Sequence, residues 1–316
     1  MLKHILIIAN PSSGKKKGRT ILEEVEVILT KKNYEIDVLM TEYRKHAQQF
    51  MTSSRIAHYD FIIVIGGDGT LHEVINGLLN RKDDLDIPIG VMGGGTGNAL
   101  LTELNRNTLT VQERIDEMLK EKEEIKLDVG LVSYRNNSGL EEQTYFFNLI
   151  GLGLAVESNK TAELLRRRCS FLGQLRYVCG VLCSLCRNRT YEVDIQRDNQ
   201  EAYYSYFTNC VFIQNTMHCG DRLKLAPEAK IDDGLFDLVF NIKMNRKEMY
   251  SLVKKIEKAK KNNEPYDHTQ HEKVKYFQFQ NLRLKSREPL DLNIDGENYG
   301  TTDLQVNVHN RQVTLI

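Results

Sequence analysis

Phe61-Ile62-Ile63-Val64-Ile65-Gly66-Gly67-Asp68-Gly69-Thr70-Leu71 is the stretch of sequence that decides the fold. Its first five residues form an unbroken apolar run, which is typical of a parallel strand covered on both faces. The run ends abruptly at Gly66–Gly69, and apolar residues then recur at helical spacing from Leu71 to Leu79. The stretch therefore predicts a strand, a tight glycine-rich loop and a helix that opens at Thr70.

The same strand–loop–helix pattern recurs throughout the first 100 residues. The predicted strands are Ile5–Ala9, Tyr34–Met40, Phe61–Ile65 and Ile87–Met92, and the first and third have the character of buried strands. A helix with a weaker pattern is predicted over His46–His58. Repeated units of this kind predict an open, mainly parallel α/β sheet with right-handed crossovers.

The pattern changes beyond residue 125, where strand-like segments dominate. These segments are Leu127–Tyr134, Thr144–Ile150, Tyr191–Gln196, Tyr203–Gln214, Leu235–Ile242, Val274–Lys285, Leu290–Ile294 and Leu304–Ile316. Helical patterns interrupt them over Lys160–Cys186 and Arg246–Lys261. Because turn residues bound most of the strands, we expect an antiparallel β-sandwich or barrel. The charged stretch Lys122–Lys126 is the best boundary, which divides the chain into an α/β domain (1–125) and a β-sandwich domain (126–316).

The composition argues against several classes of protein. Hydrophobic residues make up 41% of the 316 residues, which is enough to build a sizeable core. The 43 basic and 43 acidic residues balance, so a polybasic protein with a nucleic-acid partner is not expected. We find no signal-peptide pattern, and the longest apolar stretch, Val178–Cys186, is far shorter than the roughly 20 residues that span a bilayer. We therefore expect a cytoplasmic protein whose six cysteines are thiols.

Three loops rich in small and polar residues follow predicted strands: Asn10–Gly14, Gly66–Thr70 and Gly93–Asn98. The carboxyl ends of parallel strands are where open α/β sheets bind ligands, and glycine lets backbone N–H groups approach a phosphate. Neither the P-loop pattern nor the dinucleotide-binding pattern is present. One such loop is explained equally well by a tight turn, but three at successive strand ends predict a nucleotide site.

Asp68 is the unusual member of these loops, because a carboxylate repels phosphate unless a cation lies between them. This argues for Mg²⁺, bound directly or through water. The alternative is that Asp68 hydrogen-bonds within its own turn.

The three loops resemble those of the diacylglycerol kinase catalytic family, which includes bacterial diacylglycerol kinases, sphingosine kinases and ceramide kinase. The resemblance is carried by Asn10–Gly14, Gly66–Leu78 and Gly94–Asn98, and it continues through Ala226–Leu235 and Asn293–Glu297. It implies an α/β nucleotide domain followed by a β-sandwich, in agreement with the change of pattern near residue 125.

The resemblance also implies roles for individual residues. Asp68 and Asp128 would hold a catalytic Mg²⁺ through water, and Asp295 would be the general base that takes the proton from a lipid hydroxyl. The residues implied in ATP binding are Asn10, Pro11, Ser12, Ser13, Gly14, Thr41, Gly66, Gly67, Asp68, Gly69, Thr70, Leu71, His72, Glu73, Thr96, Asn98 and Glu297. On the local pattern alone, Asp295-Gly296 predicts a hairpin turn first.

A second, structural Mg²⁺ is implied by the same resemblance. Its ligands would be Asp233 and the backbone carbonyls of Lys230 and Leu235. The local pattern Asp232-Asp233-Gly234 by itself indicates a plain turn.

Two positions depart from the bacterial diacylglycerol kinase pattern. Ala99 stands where that group usually has an acidic residue, and His72 stands where it usually has Asn. Both are similar to sphingosine kinases, so the substrate prediction shifts towards a long-chain base. The loss of an acidic side chain at Ala99 also removes one ligand from the expected water-bridged Mg²⁺ network.

Lys160–Thr190 combines apolar residues with seven Lys and Arg side chains and only one acidic side chain, Glu163. One hypothesis is that this segment lines an acyl-chain pocket and rests its basic cluster, Arg166–Arg168, on lipid headgroups. The alternative is a helix packed on the sandwich with a solvated basic edge. The first hypothesis predicts reversible association with a membrane surface.

The leading functional hypothesis is an ATP- and Mg²⁺-dependent lipid kinase that phosphorylates a hydroxyl of diacylglycerol or of a sphingoid base. A soluble-substrate kinase similar to NAD kinase is the first alternative, because it shares the Gly-Gly-Asp-Gly loop. A nucleotide-binding regulatory protein that has lost catalysis is the second, and Ala99 is its sequence support. Homo-oligomerisation is left open.

Overall fold

A computed structural model describes residues 3–94, 98–120, 124–136, 138–154, 156–158, 160–161, 164, 187–219, 223–262, 267–309 and 312–316. The predictions on Thr96 and on the basic cluster Arg166–Arg168 lie outside the described residues. The predicted helix over Lys160–Cys186 lies outside them for nearly its whole length.

The first half of the chain alternates strands and helices as predicted. In chain order its elements are β1 (His4–Ala9), α1 (Ser13–Lys31), β2 (Glu35–Met40), α2 (His46–Ser53), β3 (Phe61–Gly66), α3 (Asp68–Leu79), β4 (Ile89–Gly93), α4 (Ala99–Glu103), α5 (Val111–Leu119) and β5 (Ile125–Leu127). The helix α2 ends at Ser53, five residues before the predicted end, because Ser54 is already extended. The helix α3 begins at Asp68, two residues before the predicted start.

The second half consists mainly of strands. Its elements are β6 (Gly130–Arg135), β7 (Glu141–Phe146), β8 (Leu149–Gly153), β9 (Tyr191–Arg197), β10 (Tyr204–Thr208), β11 (Cys210–Gln214), β12 (His218–Cys219), β13 (Leu223–Lys224), β14 (Phe236–Asn241), α6 (Arg246–Asn262), a 3₁₀ turn (His268–Gln270), β15 (Val274–Phe279), β16 (Asn281–Ile294), β17 (Glu297–Val308) and β18 (Val313–Leu315).

The first sheet has the strand order β2-β1-β3-β4-β18-β5, and β1 to β4 are parallel. Successive residues of β1 pack into different cores. Ile5 and Ile7 contact the side of the sheet that α1 and α5 cover, whereas Leu6 and Ile8 pack with α2 and α3. Burial on both faces explains why β1 and β3 are continuous apolar runs, whereas the edge strand β2 is mostly exposed and carries Glu35 and Asp37.

The second sheet is antiparallel and follows the order β15-β14-β11-β8-β16-β17-β6-β7. In addition, β9 pairs with β16, and β10 pairs with β9. One apolar core lies on it, and buried side chains of β6, β8, β11 and β16 contribute to that core. The predicted fold class, an open α/β sheet followed by an antiparallel β-sandwich, is confirmed.

Two of the predicted strands are wrong in their extent, because each divides between the two sheets. Leu127 ends β5 in the first sheet, and the chain enters the second sheet only at Gly130. Likewise β18 returns to the first sheet, where it lies between β4 and β5. A short apolar run does not indicate which sheet it joins. The sequence pattern therefore predicted β5 and β6 as one strand, and likewise β17 and β18.

No helix in the described part of the chain is long and apolar enough to cross a membrane. Cys210 and Cys219, two of the six cysteines, are free thiols.

Candidate active site

The three polar loops meet at the carboxyl edge of the first sheet. The Asn10 N–H donates to the Ile65 carbonyl at 2.8 Å, and the Gly94 N–H donates to the Gly66 carbonyl at the same distance. The Asn10 side-chain amide also lies 3.4 Å from the Thr70 hydroxyl oxygen. The structure therefore brings the predicted loops together at one edge.

Two glycines of these loops have opposite surroundings. Gly14 has φ +52°, and a Cβ there would lie 1.9 Å from the Gly94 carbonyl oxygen, so only glycine fits between the first and third loops. Gly69 is exposed in the first turn of α3, and a Cβ there would meet nothing within 4 Å. The backbone at Gly69 is thus open to a ligand at the N-terminus of α3, where partial positive charge favours an anion.

Asp68 holds the second and third loops together. Both of its carboxylate oxygens lie 3.2 Å from the Ala99 N–H, at the start of α4. Burial raises the pKa of Asp68 to about 6; the Ala99 N–H opposes this shift and the charge of Asp295 adds to it. A carboxylate whose ionised form is disfavoured in this way is well suited to a cation, and hard carboxylate oxygen is the donor that Mg²⁺ prefers.

Asp295 reaches this edge from the second sheet. The pairing of Ile294 with Glu297 makes Asp295-Gly296 a two-residue hairpin turn between β16 and β17, as the local pattern predicts. Both turn residues have positive φ, +47° and +94°, which is the geometry of a type I′ turn.

The Asp295 carboxylate is buried among four hydrogen-bond partners. Its Oδ1 accepts from the N–H groups of Asn148 and Leu149, and its Oδ2 accepts from that of Phe147, all at 3.0 Å. The fourth partner is Nδ1 of His72, 3.0 Å from Oδ2. Three successive N–H groups form a nest for the anion, and the imidazole of α3 completes its shell.

Asn76 is a residue that the sequence reasoning missed. Its side-chain amide donates to the carbonyls of His72 and Tyr145, and its oxygen accepts from the Tyr145 N–H and the Thr144 hydroxyl, at 2.9–3.0 Å. Because Asp68, His72 and Asn76 are spaced four residues apart, they lie along one side of α3. A polar residue at this spacing on an otherwise apolar helix was the available signal.

Asn215 is a second missed residue, and it links the site to Asp128. Its side-chain amide donates to the carbonyls of Asp128 (2.8 Å) and Phe147 (2.9 Å). It follows the end of β11, and no feature of the local pattern distinguishes it from a loop asparagine.

Asp128 lies where the chain passes from the first sheet to the second. It accepts from the Gly234 N–H at 2.7 Å and from the Gln312 side chain at 2.5 Å. Burial raises its pKa, and the charges of Asp233 and Asp232 add to the shift. Among the described residues, Asp128 thus contacts the 232–234 turn, and no direct hydrogen bond joins it to Asp68.

The predicted structural metal site lies on this same turn. The Asp233 carboxylate is exposed and accepts the Leu235 N–H at 3.0 Å, and the Lys230 side chain is exposed. The turn predicted from Asp232-Asp233-Gly234 is therefore present, and both of its aspartates are exposed.

Other predicted ATP contacts have protein partners. Glu73 accepts from the N–H groups of Lys45 (2.7 Å) and Ala47 (3.2 Å) and so caps the start of α2. Glu297 pairs with Arg44, which joins the second sheet to the loop after β2. Leu71 packs in the apolar core.

Other residues predicted to contact ATP lie at the carboxyl edge of the first sheet. The Thr41 N–H donates to the Ala9 carbonyl at 2.8 Å. After Pro11, the Ser12 N–H donates to the Asn10 side chain and the Ser13 hydroxyl to the Asn10 carbonyl. Asn98 precedes α4, beside Gly93.

Comparison with known proteins gives a consistent result over the whole chain. Residues 4–132 match the family described as the diacylglycerol kinase catalytic domain, and residues 148–316 match the YegS C-terminal NAD kinase beta sandwich-like domain. A diacylglycerol kinase of Staphylococcus carnosus (strain TM300) is 30% identical over 301 residues, which cover 95% of this chain and 90% of that protein.

Solved structures share the fold. A diacylglycerol kinase from Bacillus anthracis str. Sterne has a TM-score of 0.68 at 21% identity, covering 99% of this chain and 96% of that one. Yeast NADH kinase complexed with NADH has a TM-score of 0.57 at 11% identity, covering 99% of this chain and 83% of that one. The glycine loops, the sandwich and the relatives agree, and the chain belongs to the diacylglycerol kinase catalytic family.

Proposed function

We propose that this protein is a lipid kinase that transfers the γ-phosphoryl group of ATP to a hydroxyl of a membrane lipid, either diacylglycerol or a sphingoid base. The observation that carries the proposal is that residues of the first sheet and of the second sheet lie together at one site. The glycine loops of the first sheet lie beside a buried carboxylate, Asp295, from the second sheet, and this carboxylate bonds to His72 on α3. Phosphoryl transfer needs this combination of phosphate positioning and a group that takes the hydroxyl proton.

On the nucleotide side, the open backbone at Gly69 and the start of α3 would hold the phosphates of ATP. Asn10 and Thr70, joined by their side chains, would support the same loops. The predicted contacts of Thr41, Glu73 and the other loop residues remain part of this proposal.

Asp68 fits the Mg²⁺ that the family implies. Its carboxylate is hard oxygen, is largely buried and has a raised pKa, so a cation would relieve the cost of its ionisation. When bound, Mg²⁺ would supply neutralisation of phosphate charge. Asp128 would share this cation with Asp68 through water, and Asp233 with the backbone carbonyls of Lys230 and Leu235 would hold a second, structural Mg²⁺.

On the acceptor side, the second domain would present the lipid at a membrane surface. The basic and apolar composition of Lys160–Thr190 supports reversible membrane association of a cytoplasmic protein. His72 and Ala99 favour a long-chain base over diacylglycerol as substrate.

The test is a phosphorylation assay with radiolabelled ATP and Mg²⁺. Diacylglycerol and sphingosine would each be presented in mixed micelles, and NAD would be offered in solution. We expect a labelled lipid from one of the two micelle samples. A labelled NAD product with no labelled lipid would contradict the proposal in favour of a soluble-substrate kinase, and no product at all would favour the regulatory alternative.

Two variants test the assigned site in the same assay. Asp295→Asn should lose the lipid product, and Gly69→Ala should raise the KM for ATP, because the added methyl group has room in the protein but occupies the open face of the loop. Asp116→Asn, on the surface of α5, is the matched control and should behave as wild type. Full activity in the first two variants would overturn the site.

A further inference from the structure

We propose that Nε2 of His72 is the atom that accepts the proton of the lipid hydroxyl, and that Asp295 acts as the positioning residue for this imidazole. The inference rests on the proposed kinase function and deepens it. It departs from the role that the family resemblance implies for Asp295, and it is carried by the hydrogen bonds of the two side chains.

The Asp295 carboxylate has no lone pair left for a substrate. A carboxylate offers about four acceptor positions, two on each oxygen. Oδ1 accepts two backbone N–H groups, from Asn148 and Leu149, while Oδ2 accepts one from Phe147 and contacts His72. The side chain is fully buried. A hydroxyl could reach it only by displacing one of four existing partners.

The same contact fixes the tautomer of the neutral imidazole. An ionised carboxylate only accepts hydrogen bonds, so Nδ1 of His72 must be the donor in its 3.0 Å bond to Asp295. In the neutral ring the second nitrogen, Nε2, then carries a lone pair. Among the described residues Nε2 has no hydrogen-bond partner. The ring therefore has an acceptor that the protein itself does not use.

The position of His72 places this acceptor beside the phosphate loops. It lies one helical turn after Asp68, on the same side of α3. The charge of Asp295 acts on Asp68, so the three side chains form one electrostatic group. Asn76 donates to the His72 carbonyl at 2.9 Å and holds this turn of the helix against β7.

The chemical step balances without a further reagent. Nε2 of His72 takes the proton as the O–H bond of the lipid breaks, and the lipid oxygen forms a bond to the γ-phosphorus of ATP. The bond from that phosphorus to the β–γ bridging oxygen breaks, and its electron pair leaves with ADP. The resulting imidazolium is paired with the Asp295 carboxylate, which makes the proton transfer more favourable.

A kinetic experiment separates this arrangement from direct action of Asp295. We expect His72→Asn to lower kcat by about 10²–10⁴-fold, the usual contribution of a positioned base. In His72→Gly, added imidazole should restore lipid phosphorylation in proportion to its neutral form. His58→Gly, an exposed histidine outside the site, is the control and should show wild-type activity with no response to imidazole.

A second measurement does not depend on substrate. In ¹⁵N-labelled wild-type protein at neutral pH, the His72 ring should show the Nδ1–H tautomer, and Asp295→Asn should abolish this preference. An Nε2–H tautomer would overturn the inference, as would a kcat for His72→Asn within a few-fold of wild type. A wild-type protein that phosphorylates no lipid would instead overturn the proposed function itself.

Discussion

At the scale of single residues, Asp68 lies in a buried position that disfavours its ionised form. The pKa of Asp68 is about 6 because burial, together with the nearby charge of Asp295, penalises the ionised form. The Ala99 N–H compensates only in part. A carboxylate with a purely structural role would be expected to accept hydrogen bonds from more than one N–H group. The cost at Asp68 is the kind of local strain that functional sites retain.

This cost predicts a pH-dependent effect of Asp68→Asn on stability. Between its ordinary pKa of 3.8 and about 6, the folded protein binds the Asp68 proton more tightly than the unfolded chain does. Stability therefore falls as pH rises through this window, and Asn removes the loss. Without Mg²⁺, the Tm of the variant should exceed that of wild type by more at about pH 8 than at about pH 4, measured by differential scanning fluorimetry. An equal difference at both pH values would contradict this account.

At the scale of elements, one helix organises the site. The helix α3 presents Asp68 to the third loop, His72 to Asp295 and Asn76 to β7. Its other residues, among them Leu71, Val74 and Ile75, pack in the core beneath the sheet. The helix is thus one of the elements that connect the first sheet with the second.

Asn76→Leu should break this connection. Leucine has a similar size but makes no hydrogen bonds, so the partly buried N–H and carbonyl of Tyr145 would lose their side-chain partners. We expect a loss of roughly 2–4 kcal/mol in the free energy of unfolding, measured with urea. Asn80→Leu, at the exposed C-terminal end of α3, is the matched control and should cost less than about 0.5 kcal/mol. Similar values for the two variants would show that Asn76 is not a structural link.

At the scale of the whole molecule, the second sheet is an insertion into the first. The chain leaves the first sheet at the end of β5 and returns with β18, which lies between β4 and β5. Val313 and Leu315 of β18 are buried. The Gln312 side chain, just before β18, donates a hydrogen bond to Asp128, just after β5. Two crossings therefore join the halves of the molecule.

This topology predicts that the halves unfold together. Leu315→Ala should lower the free energy of unfolding by about 2–4 kcal/mol, because it removes a buried side chain from the first core. Calorimetry should still show one transition, since β18 ties both sheets. Leu140→Ala, at an exposed leucine of the second half, is the control and should change little. A fragment of residues 1–125 that folds cooperatively alone would contradict the prediction.

The sequence allowed the order of the α/β units and the three loops to be predicted, because strands buried on both faces leave unbroken apolar runs and glycines mark the ends of these strands. It also allowed the Asp295-Gly296 turn to be predicted. The pairing of Asp295 with His72 could not be predicted from local pattern, since 223 residues separate them. The position of β18 was missed for the same reason: periodicity describes a strand but not its neighbours.

The place of β18 has a consequence for how the protein is made. During synthesis, β4 emerges early, yet the strand that covers its edge, β18, begins 220 residues after the end of β4. At about 5–20 residues per second, that edge waits unpaired for roughly ten seconds or more. Unpaired strand edges are templates for aggregation, so the nascent chain is exposed to misassembly until β18 has been synthesised. Slower translation of the second half should lower the soluble yield.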